Sequence, residues 1–235
     1  MSRKSIAVVQ SCYIPWKGYF DIVNRVDEFV LYDDRQYTRR DWRNRNRIKT
    51  PQGTQWLTVP VLVRGKYDQR IDETLVSEPG WAEKHWRTLG HNYAAAPHFD
   101  AYAPTFEAAY QAVADEPSLS AINRVLLETV LGVLGAQTTL SWSTDYEAEG
   151  ARTERLVSLC RAAGADYYLS GPGARAYLEQ ERFVEAGIEL GYVDYEGYAE
   201  YPQLHGGFDH FVTVLDLIFN TGPDARHYLK SFRDG

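Results

Sequence analysis

Residues 5–34 read SIAVVQSCYIPWKGYFDIVNRVDEFVLYDD, and this stretch decides the fold class. Residues 6–10, IAVVQ, form a short apolar run that ends in a polar residue, which is typical of a buried strand. After a loop that contains proline and glycine, residues 21–27 repeat apolar side chains at helical spacing, with Asp21 as the predicted cap. Residues 28–34 predict a second strand. A strand, a loop, a helix and a strand within about 30 residues form the βαβ unit of a parallel sheet.

The same patterns predict further strands and helices along the chain. Strands are expected at residues 56–63, 166–171 and 188–196, and helices at residues 151–165, 172–187 and 211–220. Residues 80–136 carry helical patterns, which favours an insertion or subdomain that covers a site, with plain packing of helices on the sheet as the alternative. We therefore predict a single α/β domain over residues 1–235. Its sheet is mostly parallel and resembles nucleotide-binding folds, with a helical insertion or subdomain at about residues 80–137.

The composition excludes several classes of protein. Of the 235 residues, 44% are hydrophobic and 24% are charged, close to the average for a globular domain. No apolar run approaches the roughly 18 residues of a membrane span, and the start MSRKSIAVVQ lacks a signal-peptide core, so a cytoplasmic protein without a membrane partner is expected. Two cysteines are too few for a disulfide framework, and the six histidines show no metal-binding motif, so no metal site is predicted.

Charge is concentrated in one segment of the chain. The net charge is −7, yet residues 35–49 carry seven basic side chains and one acid, which leaves the other residues at −13. Arginine side chains pair bidentately with phosphates and carboxylates, so this segment predicts an anion site, with a solvated edge held by salt bridges as the alternative. The acidic remainder makes nucleic acid an unlikely partner. The candidate binding residues are Arg43, Arg45 and Arg47 on one face of a strand and Asn44 and Asn46 on the other.

Two loops are candidate binding sites because each follows a predicted strand and precedes a helix. Open parallel sheets bind ligands at that edge. In the first loop the candidates are Tyr13, Trp16, Lys17, Gly18 and Tyr19, with a hydrophobic plug as the alternative. In the second loop, SGPGAR, the backbone amides suit a phosphate or carboxylate, and the candidates are Ser170, Gly171, Gly173 and Arg175. We expect Trp16 and Ser170 to approach one cavity that also receives an arginine from residues 39–47.

The predicted catalytic residue is a carboxylate at the end of the second strand. Asp33 or Asp34 is expected to act as the general base for a substrate amine. Cys12 lies in the first loop, but nothing near it in the sequence supplies a base, so we expect it to be replaceable.

The two loops also resemble those of nucleotidyltransferases. In those enzymes a Pro-x-x-Gly loop after the first strand and a Ser-Gly-x-x-x-Arg turn late in the chain face one nucleotide. This chain has Lys17 and Tyr19 about where those enzymes carry two histidines, which argues against adenylyl transfer by their mechanism.

Four segments of the chain resemble one known family. They are QSCYIPWKGYFDIVNRVDEFVLYDD at residues 10–34, WRNRNRIKTPQGTQWLTVPV at 42–61, YYLSGPGARAYL at 167–178 and LDLIFNTG at 215–222. In this order and spacing they are similar to the WbqC-like family, bacterial proteins of gene clusters for O-antigen, other surface glycans and specialised metabolites. The family usually has Gln-Pro where this chain has Gln10-Ser11, a difference in the backbone of the first loop.

The resemblance implies a biosynthetic role. We expect a small-molecule transferase that acylates or aminoacylates an amine on a sugar or on a carrier-bound substrate. Its partner is then a small molecule with an anionic group, with a carrier protein or a nucleotide sugar as further candidates, and no cofactor is identified. A noncatalytic glycan- or partner-binding scaffold and an ATP-dependent nucleotidyltransferase-like ligase are the alternatives.

Overall fold

The fold is built on a five-stranded sheet in which every neighbouring pair of strands is parallel. The computed structural model describes residues 3–232. Its strands are β1 (Ser5–Val9), β2 (Glu28–Leu31), β3 (Arg45–Thr50), β4 (Gly53–Thr58), β5 (Thr139–Trp142), β6 (Tyr167–Ser170) and β7 (Glu189–Tyr192). The order across the sheet is β5-β2-β1-β6-β7. The predicted α/β class with a mostly parallel sheet is therefore confirmed.

Seven α-helices pack around this sheet in the described part of the chain. They are α1 (Lys17–Asn24), α2 (Trp81–Tyr93), α3 (Phe99–Ala112), α4 (Leu119–Leu134), α5 (Arg152–Ala162), α6 (Gln180–Glu185) and α7 (Val214–Thr221). Short 3₁₀ turns lie at Ser143–Asp145, Pro172–Ala176, Gly222–Tyr228 and Lys230–Phe232. None of the helices within residues 3–232 has the length and apolar character that crossing a membrane requires.

The central strands are buried on both faces because their side chains alternate between two cores. Ile6, Val8 and Val30 belong to a cluster that includes Cys160 of α5 and Phe183 of α6. The alternate residues of β1 and β2 belong to the larger cluster formed with α1 to α4 and α7. This two-sided burial explains why the sequence of these strands is apolar throughout rather than alternating.

The direction in which the chain adds strands reverses at β1. From β1 the chain adds β2 and later β5 on one side, whereas β6 and β7 are added on the other side. In open α/β sheets the loops that leave two such strands diverge and open a crevice at the carboxyl ends of the strands. The crevice of this protein therefore lies between the ends of β1 and β6.

The basic segment forms a separate antiparallel hairpin. β3 pairs with β4 from Arg45 opposite Thr58 to Thr50 opposite Gly53. The strand predicted at residues 56–63 thus occupies Gly53–Thr58 and joins the hairpin rather than the parallel sheet. It ends shortly before Pro60, which lacks the amide hydrogen that a longer strand would need.

Helix α1 begins earlier than predicted. Its first residue is Lys17, Trp16 is the capping residue, and Asp21 lies inside the helix rather than at its start. The Asp21 carboxylate is fully buried and accepts a hydrogen bond from the Ser231 backbone N–H at 2.7 Å. Position 18, in the first turn, requires glycine because a Cβ there would lie 2.3 Å from the Trp16 ring. Without a Cβ at this position the indole can fold back over the helix.

Two further predictions about elements need correction. The helix predicted at residues 172–187 is divided into a 3₁₀ turn, Pro172–Ala176, and the short helix α6. The edge strand β5 was not predicted, because only four residues pair and most of them are partly exposed.

A long segment without helix or strand, residues 193–213, connects β7 to α7. Side chains from several elements hold it in place. The Lys17 Nζ donates to the Ala199 carbonyl oxygen at 2.9 Å, the Tyr201 hydroxyl donates to Asp216 of α7 at 2.8 Å, and the Arg47 Nη2 donates to the Phe211 carbonyl oxygen at 2.9 Å. We call residues 193–213 the connecting segment.

Candidate functional site

A cavity of about 680 Å³ opens at the carboxyl ends of β1, β2 and β6, where the strand order reverses. Its size is within the range of about 300–1,000 Å³ that is usual for small-molecule sites. We call it the switch-point cavity. The residues that line it and bear on its chemistry are Tyr32, Arg35, Arg152, Ser170, Gly173 and Tyr195.

Two arginines bring positive charge to this cavity. Arg35 follows β2, and its guanidinium donates to the Asp34 carboxylate at 2.6 Å. Arg152 is exposed, and no carboxylate of the described residues forms an ion pair with it. Arg152 is also the first residue of α5, where the helix dipole favours a negatively charged ligand.

The backbone of Arg152 is strained. Its φ of 51° lies in the left-handed region, which an arginine seldom adopts. Such a conformation costs on the order of 1–3 kcal/mol and is found most often at functional sites. Arg152 thus combines a strained backbone with a position at the wall of the cavity.

The SGPGAR turn supplies another wall of the switch-point cavity. Ser170, Gly171 and Gly173 line it, whereas the Arg175 guanidinium lies 4.7 Å from the centre of the Tyr192 ring. A Cβ at Gly173 would meet no atom within 4 Å, so this position faces open space. The structure therefore brings three of the four candidates of the second loop together.

The ionisable groups of the cavity are hydrogen-bond donors. Burial raises the pKa of Tyr32 and of Tyr195, so both phenols stay protonated at neutral pH. No histidine, aspartate or glutamate lines this cavity within the described residues. The switch-point cavity thus offers cations, phenols and a serine hydroxyl, which suit an anionic ligand.

The two candidate carboxylates lie next to the cavity without lining it. Asp33 is buried and accepts hydrogen bonds from the Ser11 N–H at 2.8 Å and the Ser120 hydroxyl at 2.5 Å, and burial raises its pKa. Burial acts in the same direction on Asp34, but hydrogen bonds from Arg35 and Ser143 outweigh it and lower the pKa of Asp34. A catalytic role for either carboxylate stays a prediction, and their contacts are those of groups that organise the ends of strands.

The first loop divides its candidate residues between the core and a second cavity. The Tyr13 hydroxyl is buried and bonded to His85 Nδ1 at 2.8 Å. The buried Lys17 Nζ lies 4.9 Å from the centre of the Tyr201 ring. Gly18 faces the Trp16 ring, as described above. Of the five candidates, only Trp16 and Tyr19 line a cavity described here.

This second cavity has a volume of about 280 Å³. Its walls are Cys12, Pro15, Trp16, Tyr19, Trp42, Asn46 and Phe211, and we call it the aromatic cavity. Trp16 and Ser170 therefore do not share one cavity, although β1 and β6 are parallel and their loops lie at the same edge of the sheet. Tyr195 stands between them, since it lines the switch-point cavity and its ring centre lies 5.3 Å from that of Trp16.

The basic segment is partly structural. The Arg43 guanidinium is largely buried and donates to the carbonyl oxygens of Gln10 and Ser11 at 2.9 and 3.0 Å. The amide of Asn44 donates to Val59 O at 2.8 Å, and that of Asn46 donates to Ile14 O at 2.7 Å. These three side chains hold the first loop and the hairpin in place.

The other two candidate arginines of this segment, Arg45 and Arg47, stack on an aromatic ring. The Arg45 guanidinium lies 4.1 Å from the centre of the Trp56 ring, and that of Arg47 lies 5.9 Å from it.

No group of three or more histidine, cysteine, aspartate or glutamate side chains in the described residues is arranged to hold a metal ion.

Sequence comparison identifies the family of this protein. The sequence profile of the WbqC-like protein family matches residues 10–228. The chain belongs to this family. A curated relative, the uncharacterized protein Rv1507c of Mycobacterium tuberculosis (strain ATCC 25618 / H37Rv), is 50% identical over 230 residues, which are 98% of this chain and 99% of the relative. No solved structure shows significant similarity to the chain.

In this WbqC-like protein, sequence reasoning missed four residues that bear on the chemistry of the switch-point cavity, namely Tyr32, Arg35, Arg152 and Tyr195. Arg35 directly follows the predicted second strand, so its position at the sheet edge was available from the sequence. Arg152 opens a helix that follows the unpredicted strand β5, and its cavity position depends on that strand order. Tyr195 reaches both Trp16 and the cavity from the connecting segment, and no local pattern indicates that contact.

Proposed function

We propose that the protein is a small-molecule transferase that binds an activated substrate through its anionic group in the switch-point cavity. The observation that carries the proposal is the convergence of Arg35, Arg152 and the Ser170–Gly173 turn on one cavity of about 680 Å³. Ligands of open α/β sheets bind at this topological position. The biosynthetic context is that of surface glycans or specialised metabolites.

The proposed reaction is acyl or aminoacyl transfer to an amine. A C–N bond forms, the bond between the acyl carbon and its carrier breaks, and the amine proton leaves to the carrier or to water. The cavity would act by holding the anionic substrate in place and by stabilising negative charge on the acyl oxygen. Its arginines and protonated phenols would supply that stabilisation. This proposal needs no general base in the cavity, whose walls carry no carboxylate or histidine in the described residues.

A nucleotide-dependent ligase is the second candidate, and the strand order favours it. Nucleotides are frequent ligands at the point where the order of a parallel sheet reverses. The chemistry that both candidates share is recognition of a phosphate or carboxylate by Arg35 and Arg152.

Thermal unfolding with a panel of probes tests the proposal. ATP, a nucleotide sugar and phosphopantetheine are compared on the wild type, on Arg152→Gln and on Arg87→Gln, a matched exposed arginine of α2. A ligand at 100 times its Kd stabilises the folded protein by about 2.7 kcal/mol. We expect at least one anionic probe to raise the Tm of the wild type and of Arg87→Gln, and to raise that of Arg152→Gln far less.

Equal stabilisation of all three proteins by the active probe would contradict binding in the switch-point cavity. Tight binding without any turnover, when amine and acyl donors are supplied together, would instead favour the noncatalytic scaffold. The two outcomes therefore separate the location of the site from its chemistry.

A further inference from the structure

The aromatic cavity differs in chemistry from the switch-point cavity. None of its walls is a charged side chain. Its Cys12 thiol is neutral at physiological pH, because burial raises its pKa to about 11. The Tyr19 hydroxyl already donates to the Gln10 carbonyl oxygen at 3.1 Å. What remains for a ligand is mainly the surface of Trp16, Trp42 and Phe211.

Two arginines lie near this cavity without lining it. Trp42 lies 5.3 Å, centre to centre, from Trp56, on which Arg45 stacks. Among residues 3–232, Arg45 forms no ion pair with a carboxylate. The Arg47 guanidinium bonds to Phe211 O and lies 3.5 Å from Asp209. The charge of Arg47 is thus offset by Asp209, whereas the positive charge of Arg45 has no carboxylate partner in the described residues.

We propose that the aromatic cavity binds the apolar acyl chain of a second substrate, whose anionic carrier group pairs with Arg45 beside Trp56. An engineered apolar cavity of about 150 Å³ is known to hold benzene. A volume of about 280 Å³ accepts a larger group, such as an acyl chain of medium length. The inference deepens the proposed function, on which it rests, by naming the chemical class of one reactant.

A third cavity, which shares lining residues with each of the other two, supports a site for two reactants. It has a volume of about 280 Å³ and shares Trp16 and Phe211 with the aromatic cavity and Tyr195 with the switch-point cavity. The rings of Trp16 and Tyr195, whose centres lie 5.3 Å apart, both line this third cavity. An acyl chain in one region and an anionic reactant in the other would have their reacting ends near these two rings.

Calorimetric titration with defined probes tests the inference. The probes are octanoate, S-octanoyl-4′-phosphopantetheine and 4′-phosphopantetheine without the acyl chain. The variants are Trp42→Ala and Phe211→Ala, whose side chains are 39% and 55% exposed and should not be needed for folding. The matched control is Tyr67→Ala, an exposed aromatic residue that lines neither cavity.

We expect an octanoyl probe to bind the wild type and Tyr67→Ala alike, and to bind Trp42→Ala and Phe211→Ala at least tenfold more weakly. Arg45→Gln should also weaken it, whereas Arg124→Gln, which removes a similar arginine stacked on Trp142, should not. Binding of octanoate alone would identify a free acid as the source of the chain, and binding restricted to the thioester would identify a carrier. Both results support the shared chemistry.

Three results would overturn the inference. They are equal binding of acylated and unacylated phosphopantetheine, unchanged binding to both aromatic variants, and the absence of binding by either octanoyl probe. The proposed function is tested separately. It fails if the anionic probes raise the Tm of Arg152→Gln as much as that of the wild type. Each idea can thus be rejected while the other stands.

Discussion

At the scale of single residues, Arg152 combines an unfavourable backbone with a cavity position. Arg152 adopts a φ of 51°, which glycine tolerates better than arginine does. Its side chain is exposed and forms no ion pair in the described residues. Evolution retains such strain where a side chain is needed at one place. Substitutions of Arg152 can therefore show whether its backbone lowers the stability of the protein and whether its side chain contributes to binding.

Arg152→Gly is expected to stabilise the protein while it weakens binding. Glycine adopts a positive φ without the steric cost that other residues meet, so the free energy of unfolding should rise by about 1 kcal/mol. Arg152→Ala removes the same guanidinium but keeps the backbone cost. Urea unfolding of the two variants measures the difference, and equal stabilities would show that the backbone at this position carries no strain.

At the scale of elements, α2 and the first loop are joined by a buried histidine. His85 of α2 is 5% exposed, and its Nδ1 is hydrogen-bonded to the Tyr13 hydroxyl. Burial lowers the pKa of His85 to about 4, against 6.5 for the unperturbed side chain. The unfolded chain therefore binds more protons than the folded protein between these two pH values.

Stability should consequently fall as the pH drops from about 6.5 towards 4. A pKa difference of this size corresponds to about 3 kcal/mol of unfolding free energy, fully present above pH 6.5. Urea unfolding between pH 4 and 7 measures this slope, which should be shallower in His85→Gln. His91→Gln, at an exposed position of the same helix, should keep the slope of the wild type. A slope that is unchanged in His85→Gln would assign the pH dependence to other groups.

The elements that the sequence predicts best are those whose pattern is complete within a few residues. β1 and β2 are buried strands in which three or four apolar residues follow one another without a break. β5 has only four residues and pairs with β2 over a gap of more than 100 residues, so no local pattern reveals it. The start of α1 was misplaced because Gly18 suggests a loop, whereas the Trp16 ring packs over it.

The same distinction holds for the candidate site: features that depend on neighbouring residues could be predicted, and long-range contacts could not. Ser170 and Gly173 were predicted correctly to lie at the carboxyl end of a strand, because strand and turn are adjacent in sequence. The burial of Arg43 was not predictable, since its guanidinium binds carbonyl oxygens of a loop more than 30 residues away. Contacts made by the connecting segment were equally inaccessible to sequence reasoning.

At the scale of the whole molecule, the distribution of charge favours binding of a small anion over binding of a long polyanion. The local charge of +6 within residues 35–49 attracts one anionic group, while the net charge of −7 repels a long polyanion. Part of that positive charge is also used internally, as Arg43 shows.

The protein is therefore expected not to bind generic RNA. Fluorescence anisotropy with a labelled single-stranded RNA of about 20 nucleotides, at low and at physiological salt, measures this. A binding curve that weakens steeply with salt would indicate phosphate contacts along a polymer and would contradict the assignment to a small ligand. The anionic probes used above serve as the positive control.

The connecting segment has a consequence for how the two cavities act together. Tyr195 lines one cavity and Phe211 the other, and both belong to the same irregular stretch of backbone. A ligand that shifted one of these rings together with its backbone would also disturb the other ring. Occupancy of the two cavities is then energetically coupled, and thermodynamic linkage requires each ligand to change the affinity of the other by the same factor. The coupling between two substrates would thus reside in a stretch of chain that forms neither helix nor strand.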